Sequence, residues 1–417
     1  MFYGYIYSTS INYVVWSGTA RTFTILFNII LFCWALLVGL IKAQRIKALS
    51  LLDIIVICLF LTIIGRYGAA GQVSGKMIFL FLGILIPYLC ARTISLKELN
   101  GFLKWLYCFG AGVFLIGLVC LPSVWRSWEI EAGRPLLFGS RANTVITSGG
   151  VGSFLVMTFA YILRPKSKQR FSIVMWLLIP IALYMLIEFS GKTTLITAIL
   201  IGIGLGAFAH WVARSFRIAM IWLFLGSSAI GIAMAPEYLI QYYSFASVKG
   251  MYESLSTPLR NDSYSASLDD TTELGVDDNN TMAVRIVAIR NALEQFVKNP
   301  AFGYGPDRYM VPHSTVVQVF CEYGGFAGIV FVVLILRVLK GLLRISFDMH
   351  SPIQNEAWIV MALYLYIFID DQLLGSVANM GPFMILNGVA VSMFSLGKWN
   401  NAHNDGPFCS MRQSALV

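Results

Sequence analysis

The sequence predicts an all-α fold, a polytopic transmembrane bundle of about 11–12 spans with one large outer loop carrying an amphipathic helix. Three observations predict it. Hydrophobic residues make up 58% of the 417-residue chain and charged residues 12%, with a mean hydropathy of +0.73. Soluble domains carry about a quarter charged residues. Apolar stretches of about 20 residues recur, each long enough to cross a hydrocarbon core of roughly 30 Å. Basic clusters punctuate these stretches after every second crossing. No ten-residue alternating segments of the β-barrel kind are present.

The predicted spans fall near 23–42, 50–66, 76–94, 102–122, 146–163, 171–189, 193–210, 218–235, 314–336, 357–372 and 377–396. Residues 1–20 lack the basic start and compact apolar centre of a cleavable signal. They are also polar for a span. Lys42, Arg45 and Lys47 follow the first span, and Arg92, Lys97 and Lys104 follow the third. Arg164, Lys166, Lys168 and Arg170 come next, then Arg214 and Arg217, then Arg337, Lys340 and Arg344. Short loops rich in Lys and Arg stay in the cytoplasm. These five loops and the tail are therefore expected inside. Eleven spans put the N-terminus outside, and a twelfth within 1–20 would put it inside.

The chain divides on this reading into an N-terminal bundle (1–235), a large outer loop (236–313), C-terminal helices (314–397) and a cytoplasmic tail (398–417). The net charge of +9 admits nucleic acid or an anionic membrane as partner. Its distribution between spans selects the membrane and excludes nucleic acid. The seven cysteines have no CxxC spacing, and none lies in the outer loop. That pattern gives neither a disulfide framework nor a metal site.

A long segment without repeats between two spans is usually functional. The outer loop holds ten acidic and six basic residues. Its middle, NDSYSASLDDTTELGVDDNN, reads as exposed chain. The next stretch, MAVRIVAIRNALEQFVKNP, reads as a helix with one apolar face, ended by Asn299-Pro300. FGYGPDRY then reads as a turn-rich link.

Cations on the outer side run against the positive-inside pattern and call for a separate reason. They are Arg134 and Arg141 in GRPLLFGSRANTV, Lys192 in EFSGKTT, and Arg285 and Arg290 on the loop helix. Converging on a phosphate or diphosphate, Arg supplies a bidentate fork and Lys a mobile point charge. Individually, snorkelling to headgroups or pairing with loop acids accounts for such residues equally well. SGKTT is not a P-loop, because Leu186 stands where the motif needs glycine. His313 closes the outer loop at the start of a span. A neutral imidazole there accepts a proton from a sugar hydroxyl. An interfacial histidine satisfied by hydrogen bonds is the alternative. Asp370 and Asp371 end a span on the outer side, where a cation or ion pairing with outer arginines accounts for them.

The order of SGKTT, VRIVAIRNALEQFVKNPAFGYGPDRY and HSTVVQVFCEYGGFAG, preceded by RPLLFGSRANTV, resembles the O-antigen ligase and polymerase family of bacterial envelope glycosyltransferases. The resemblance covers roughly 134–336. Lys192 stands where that family usually has Arg, Ser314 where Asn is commoner, and Ala327 where a glycine is expected. The resemblance implies an enzyme of the bacterial inner membrane with its active site facing the periplasm. The reaction it implies is inverting and metal-independent and needs no cofactor. A glycan passes from an undecaprenyl diphosphate carrier to an acceptor sugar. His313 and Arg285 would be catalytic, and Lys192, Arg134, Arg141 and Arg290 would bind diphosphate or glycan. A polymerase extends a carrier-linked acceptor, whereas a ligase transfers to lipid A-core. The HS pair and the shifted glycines favour the polymerase. A chain-length regulator or a flippase would be its protein partner. A flippase or transporter for the same lipid is the alternative of another class. Such a protein should place polar groups deep in several spans and show internal repeats.

Overall fold

The computed structural model describes residues 49–69, 85–130, 135, 137, 141–165, 173–189, 191–233, 281–306, 314–374 and 380–404, with Leu37 and Ile41. Among the described residues the chain is all-helical. Its twelve helices are α1 (Leu51–Ala69), α2 (Ile86–Arg92), α3 (Leu96–Ile130), α4 (Arg141–Ile162), α5 (Ile173–Glu188), α6 (Lys192–Phe208), α7 (Arg214–Ala233), α8 (Thr281–Lys298), α9 (Thr315–Tyr323), α10 (Gly325–Phe347), α11 (Gln354–Leu374) and α12 (Gly381–Asn404). Leu51–Ala69, Lys97–Ser127 and Gly325–Phe347 are long and apolar enough to cross a membrane. Shorter apolar helices cover Thr147–Ile162, Val174–Glu188, Thr193–Phe208 and Gly381–Phe394. The predicted span 23–42 lies almost wholly outside the described residues, and 76–94 is described only in its last part.

Local sequence explains where the helices start. Before α1, the Ser50 amide donates to Asp53 Oδ2 at 2.7 Å while the Asp53 amide donates to Ser50 Oγ at 3.2 Å. This reciprocal exchange satisfies two of the donors a helix N-terminus leaves free. Ser95 and Glu98 repeat half of it before α3, where the Ser95 amide donates to Glu98 Oε2 at 3.0 Å. Asp53 then has a second task. It is buried, accepts from the Tyr88 hydroxyl at 2.6 Å and pairs with Arg92 Nε at 3.1 Å. A buried carboxylate stripped of such partners would be strongly destabilising. The pair ties α1 to α2, and α12 closes over α2 so tightly that a Cβ on Gly388 would meet the Tyr88 carbonyl.

One core unites the helices before and after the 236–313 segment. Within it α4 is surrounded by α3, α5, α6 and α11. Small residues permit this, since backbones can approach closely only where side chains are absent. At Gly152 a Cβ would meet the Tyr366 hydroxyl and Thr194 Cγ2. The outside of the bundle is apolar as well, with Val119 80% and Trp222 67% exposed. Exposed apolar surface on this scale marks contact with lipid or partner protein.

The sequence predicts one helix across 314–336. The structure has two, α9 and α10, meeting at Gly324, whose φ of 94° and ψ of 168° suit glycine alone. A Cβ on Gly324 would also strike the carbonyl of Ala301. α10 then runs on to Phe347, so Arg337, Lys340 and Arg344 lie exposed on helix rather than on a loop. Gly324→Ala is expected to lower the thermal midpoint in detergent, since a non-glycine residue there costs about 1–3 kcal/mol before any clash. Gly112→Ala, whose Cβ meets nothing within 4 Å, serves as the control. An equal response of the two variants would refute the account of the break.

Candidate functional site

The two ends of the bundle differ in chemistry. At one end the Trp211 indole donates to the Leu163 carbonyl at 2.7 Å, and Trp358 packs on Trp211 and Phe347. Arg92 with Asp53, Arg164 and Arg214 belong to that end. At the other end α4, α6 and α9 begin while α1 and α11 finish. Gly191, just before α6, lies against Ser148 of α4. The Thr194 hydroxyl donates to Asp370 Oδ1 at 3.3 Å, and the Tyr366 hydroxyl to the Gly149 carbonyl at 3.1 Å. Two residues beyond Asp370, Gln372 Oε1 accepts from Ser314 Oγ at 3.1 Å and from the Val316 amide at 3.0 Å. The last turn of α11 thereby bridges the starts of α6 and α9. The starts of α6 and α9, both held by α11, bring partial positive charge to this end, an electrostatic setting suited to an anion.

The link between α8 and α9 is built into the same end. The amides of Tyr304 and Gly305 donate to the carbonyls of Cys321 and Glu322 at 2.9 and 3.1 Å, and the Gly325 amide donates to the Pro300 carbonyl at 2.8 Å. The segment read as a turn-rich link therefore supplies the caps that the break after α9 needs. Arg66 of α1 grips it, donating from Nη2 to the Gly303 carbonyl at 3.2 Å with its guanidinium 6.0 Å from the Phe302 ring centre. Tyr67 lies beside Tyr323, their hydroxyls 3.5 Å apart.

These contacts fix the direction of α8. Phe296 meets Phe320, and Ala292 packs with Val317 and Cys321. Pro300 meets Gly325. The pairs advance together along both helices, so α8 and α9 run side by side in the same direction. Arg285 shares the helical register of Ala288, Ala292 and Phe296. By register it extends that stripe one turn toward the start of α8, about 9 Å of helix beyond the level at which α9 begins.

The sequence-predicted residues divide accordingly. Lys192 is the first residue of α6, two residues from the Thr194–Asp370 contact, and Arg141 opens α4 about two turns beyond Gly149. At Arg141, Lys192 and Arg285 the description stops at the helical backbone. Arg134 and His313 lie outside the described residues, though Ser314 directly follows His313. Arg290 pairs with Glu294 Oε1 at 2.8 Å on the flank of α8 that faces away from α9. Asp370 holds Thr194 instead of standing in solvent, and the Asp371 side chain is outside the description.

Several polar residues at this end were not singled out from sequence. Arg66 reads as the last residue of a span. Gln318 and Glu322 are buried, with Gln318 Nε2 donating to Glu322 Oε1 at 2.8 Å. Their four-residue spacing on an apolar helix is a signal in itself, since buried side chains of this type need partners. Glu188, fully buried at the end of α5, carries the same signal. No group of three or more His, Cys, Asp or Glu suited to a metal occurs among the described residues. No protein-family model matches the chain, and no curated protein is significantly similar to it.

Proposed function

We propose that the chain is a membrane-embedded glycosyltransferase of the O-antigen or exopolysaccharide polymerase type, working at the periplasmic face of the bacterial inner membrane. The observation that carries the reading is the bridge formed by α11. Thr194 with Asp370, and Ser314 with Gln372, hold the start of α6, which bears Lys192, and the start of α9, which His313 precedes in sequence, to the last turn of α11. The stripe that Arg285 extends runs past that level toward the outer side. Of the basic residues in the positive-inside pattern, Arg92, Arg164 and Arg214 stand at the opposite end among the described residues, which is what an outward-facing site requires.

The chemistry follows from the residues. The acceptor hydroxyl attacks the anomeric carbon of the donor from the face opposite the diphosphate. His313 takes the hydroxyl proton as the new C–O bond forms. The anomeric C–O bond to the diphosphate breaks with inversion, and the leaving group departs carrying its electron pair. Arg285, with Lys192, Arg134 and Arg141, neutralises the charge that develops on it. Arg290, engaged by Glu294, is the weakest member of this set.

Purified protein in nanodiscs, supplied with an undecaprenyl diphosphate-linked oligosaccharide, is expected to form a carrier-linked product one repeat longer. Mass spectrometry of the lipid extract reads the outcome. Transfer only onto added lipid A-core would identify a ligase instead. Movement of the donor across a vesicle bilayer with no new glycosidic bond would identify a flippase and end the enzymatic reading.

A further inference from the structure

We infer that the second half of α8 and the turn after it form a re-entrant element, dipping into the acyl chains of the outer leaflet beside α10. The inference rests on the outward orientation proposed above for this end of the bundle. It does not rest on the transferase chemistry.

The first observation is surface. While Ala292 and Phe296 face α9, Val297 is 75% and Leu293 45% exposed, and Phe302 in the turn is 62% exposed. Phe302 sits at the break, since a Cβ on Gly324 would meet its backbone. From there the exposed apolar face continues onto α10 through Phe326 at 61% and Ile329 at 60%. α10 is one of the helices long and apolar enough to span a membrane. Lipid on that flank of α10 covers Phe302 and Val297 by continuity. Water would leave five large apolar side chains in one exposed patch.

The second observation is backbone satisfaction. Irregular chain at membrane depth is tolerated only where its polar groups find protein partners. In this turn the Asn299, Gly303, Tyr304 and Gly305 amides are all bonded to backbone carbonyls. The Pro300 and Gly303 carbonyls take the Gly325 amide and Arg66. Proline at 300 adds no N–H. Lys298 sits at the edge of the patch, and its Nζ reaches back to Gln295 Oε1 at 3.2 Å. That direction, toward the start of α8, is the one a snorkelling lysine takes to reach the outer surface.

Depth follows from helix length. On α10 the first cation, Arg337, lies about 18 Å of helix below Gly325, and on α1 Tyr67 lies about 24 Å above Leu51. A core of about 30 Å then leaves the turn roughly 6–12 Å inside the outer boundary. The backbone at Arg285, about 18 Å up α8 from Val297, then stands roughly 6–12 Å outside the hydrocarbon boundary, at the outer edge of the headgroup layer.

Footprinting tests the dip on the unmodified chain. Wild-type protein is placed in phosphatidylethanolamine–phosphatidylglycerol nanodiscs. Carbenes are generated in parallel samples from a lipid-borne and from a water-soluble diazirine. Peptides covering 293–302 are expected to take the lipid-borne label as strongly as 326–336 and to take little of the aqueous one. Nitroxides at Val297→Cys and Phe302→Cys, in a cysteine-depleted background, should match Ile329→Cys in favouring oxygen over a water-soluble nickel relaxer. Predominant aqueous labelling would overturn the inference. So would protection from both reagents, which would mean that protein covers the patch. Neither readout uses glycan transfer, so failure of the transferase reading leaves this result standing, and the reverse.

Discussion

Arg285→Ala is expected to lower kcat/KM for glycan transfer by about 10²- to 10³-fold, the usual cost of removing one preorganised donor from a developing oxyanion. The argument is positional. Arg285 falls in register with Ala288, Ala292 and Phe296, and the last of these meets Phe320 of α9. Because α8 and α9 run in the same direction, that stripe leads past the level at which α9 begins, about 9 Å of helix to its outer side. From there the long arginine side chain is proposed to reach the charge that appears as the diphosphate leaves. Donor affinity should fall as well, since the ground-state diphosphate is already charged, so both KM and kcat should suffer. Arg285→Lys keeps the charge and loses the bidentate fork, and its intermediate rate would separate charge from geometry. Lys192→Ala should cost less, because a lysine contributes a mobile point charge. Expression and thermal midpoint serve as the check on folding. Arg285→Ala turning over at near wild-type rate, in folded protein, would remove the central assignment.

Most helices were legible because their signal is repetitive. Apolar runs between basic clusters locate α5, α6, α7 and α11 to within four residues, while α3 runs well past both predicted ends and α12 continues eight residues beyond its predicted end. What escaped the reading lies in single residues whose roles depend on distant partners. The Gly324-Gly325 pair in VFCEYGGFAG is a local turn signal, but the surrounding apolar run outweighs it and reads as one continuous helix. The reason for the break lies at Pro300 and Ala301, whose carbonyls occupy the space a continuous helix would need. NPAFGYG reads correctly as a turn. Its use as a cap for α9 requires knowing that Cys321 and Glu322 present unpaired carbonyls to it. Arg66 is likewise invisible as a clamp, since its partner is a backbone carbonyl far along the chain. At the candidate site, residue types and order pointed to Lys192, Arg285 and His313. The bridge through Asp370 and Gln372 had no sequence signature, because an α11 residue bonding to a serine on α9 leaves no periodic trace.

That bridge bears on the largest expected effect. His313→Ala is expected to abolish detectable transfer while sparing donor binding, in contrast to Arg285→Ala. A general base commonly contributes about 10²- to 10⁴-fold, and the upper part of that range takes a slow polymerase below most assays. His313 directly precedes Ser314, whose hydroxyl is held by Gln372 at 3.1 Å while the Val316 amide is held by the same oxygen at 3.0 Å. A base acts efficiently only when its position is set in advance, and the anchored Ser314 is the described residue nearest to His313 in the chain. The acceptor arrives from water while the donor diphosphate lies at headgroup depth. The start of an inward-running helix is where the two can meet. His313→Gln separates the two roles a histidine can play here. Glutamine hydrogen-bonds a hydroxyl but does not take its proton near pH 7. Loss in both variants, with donor binding retained in each, assigns proton transfer to His313. Activity kept by His313→Gln and lost by His313→Ala would reduce its role to orienting the acceptor. Gln372→Ala completes the test, because it removes the anchor without touching the imidazole. It should lower kcat with little change in KM for the donor. If His313→Ala itself keeps full activity, the base belongs elsewhere on this end of the bundle, and Glu322 and Asp370 become the carboxylates to test.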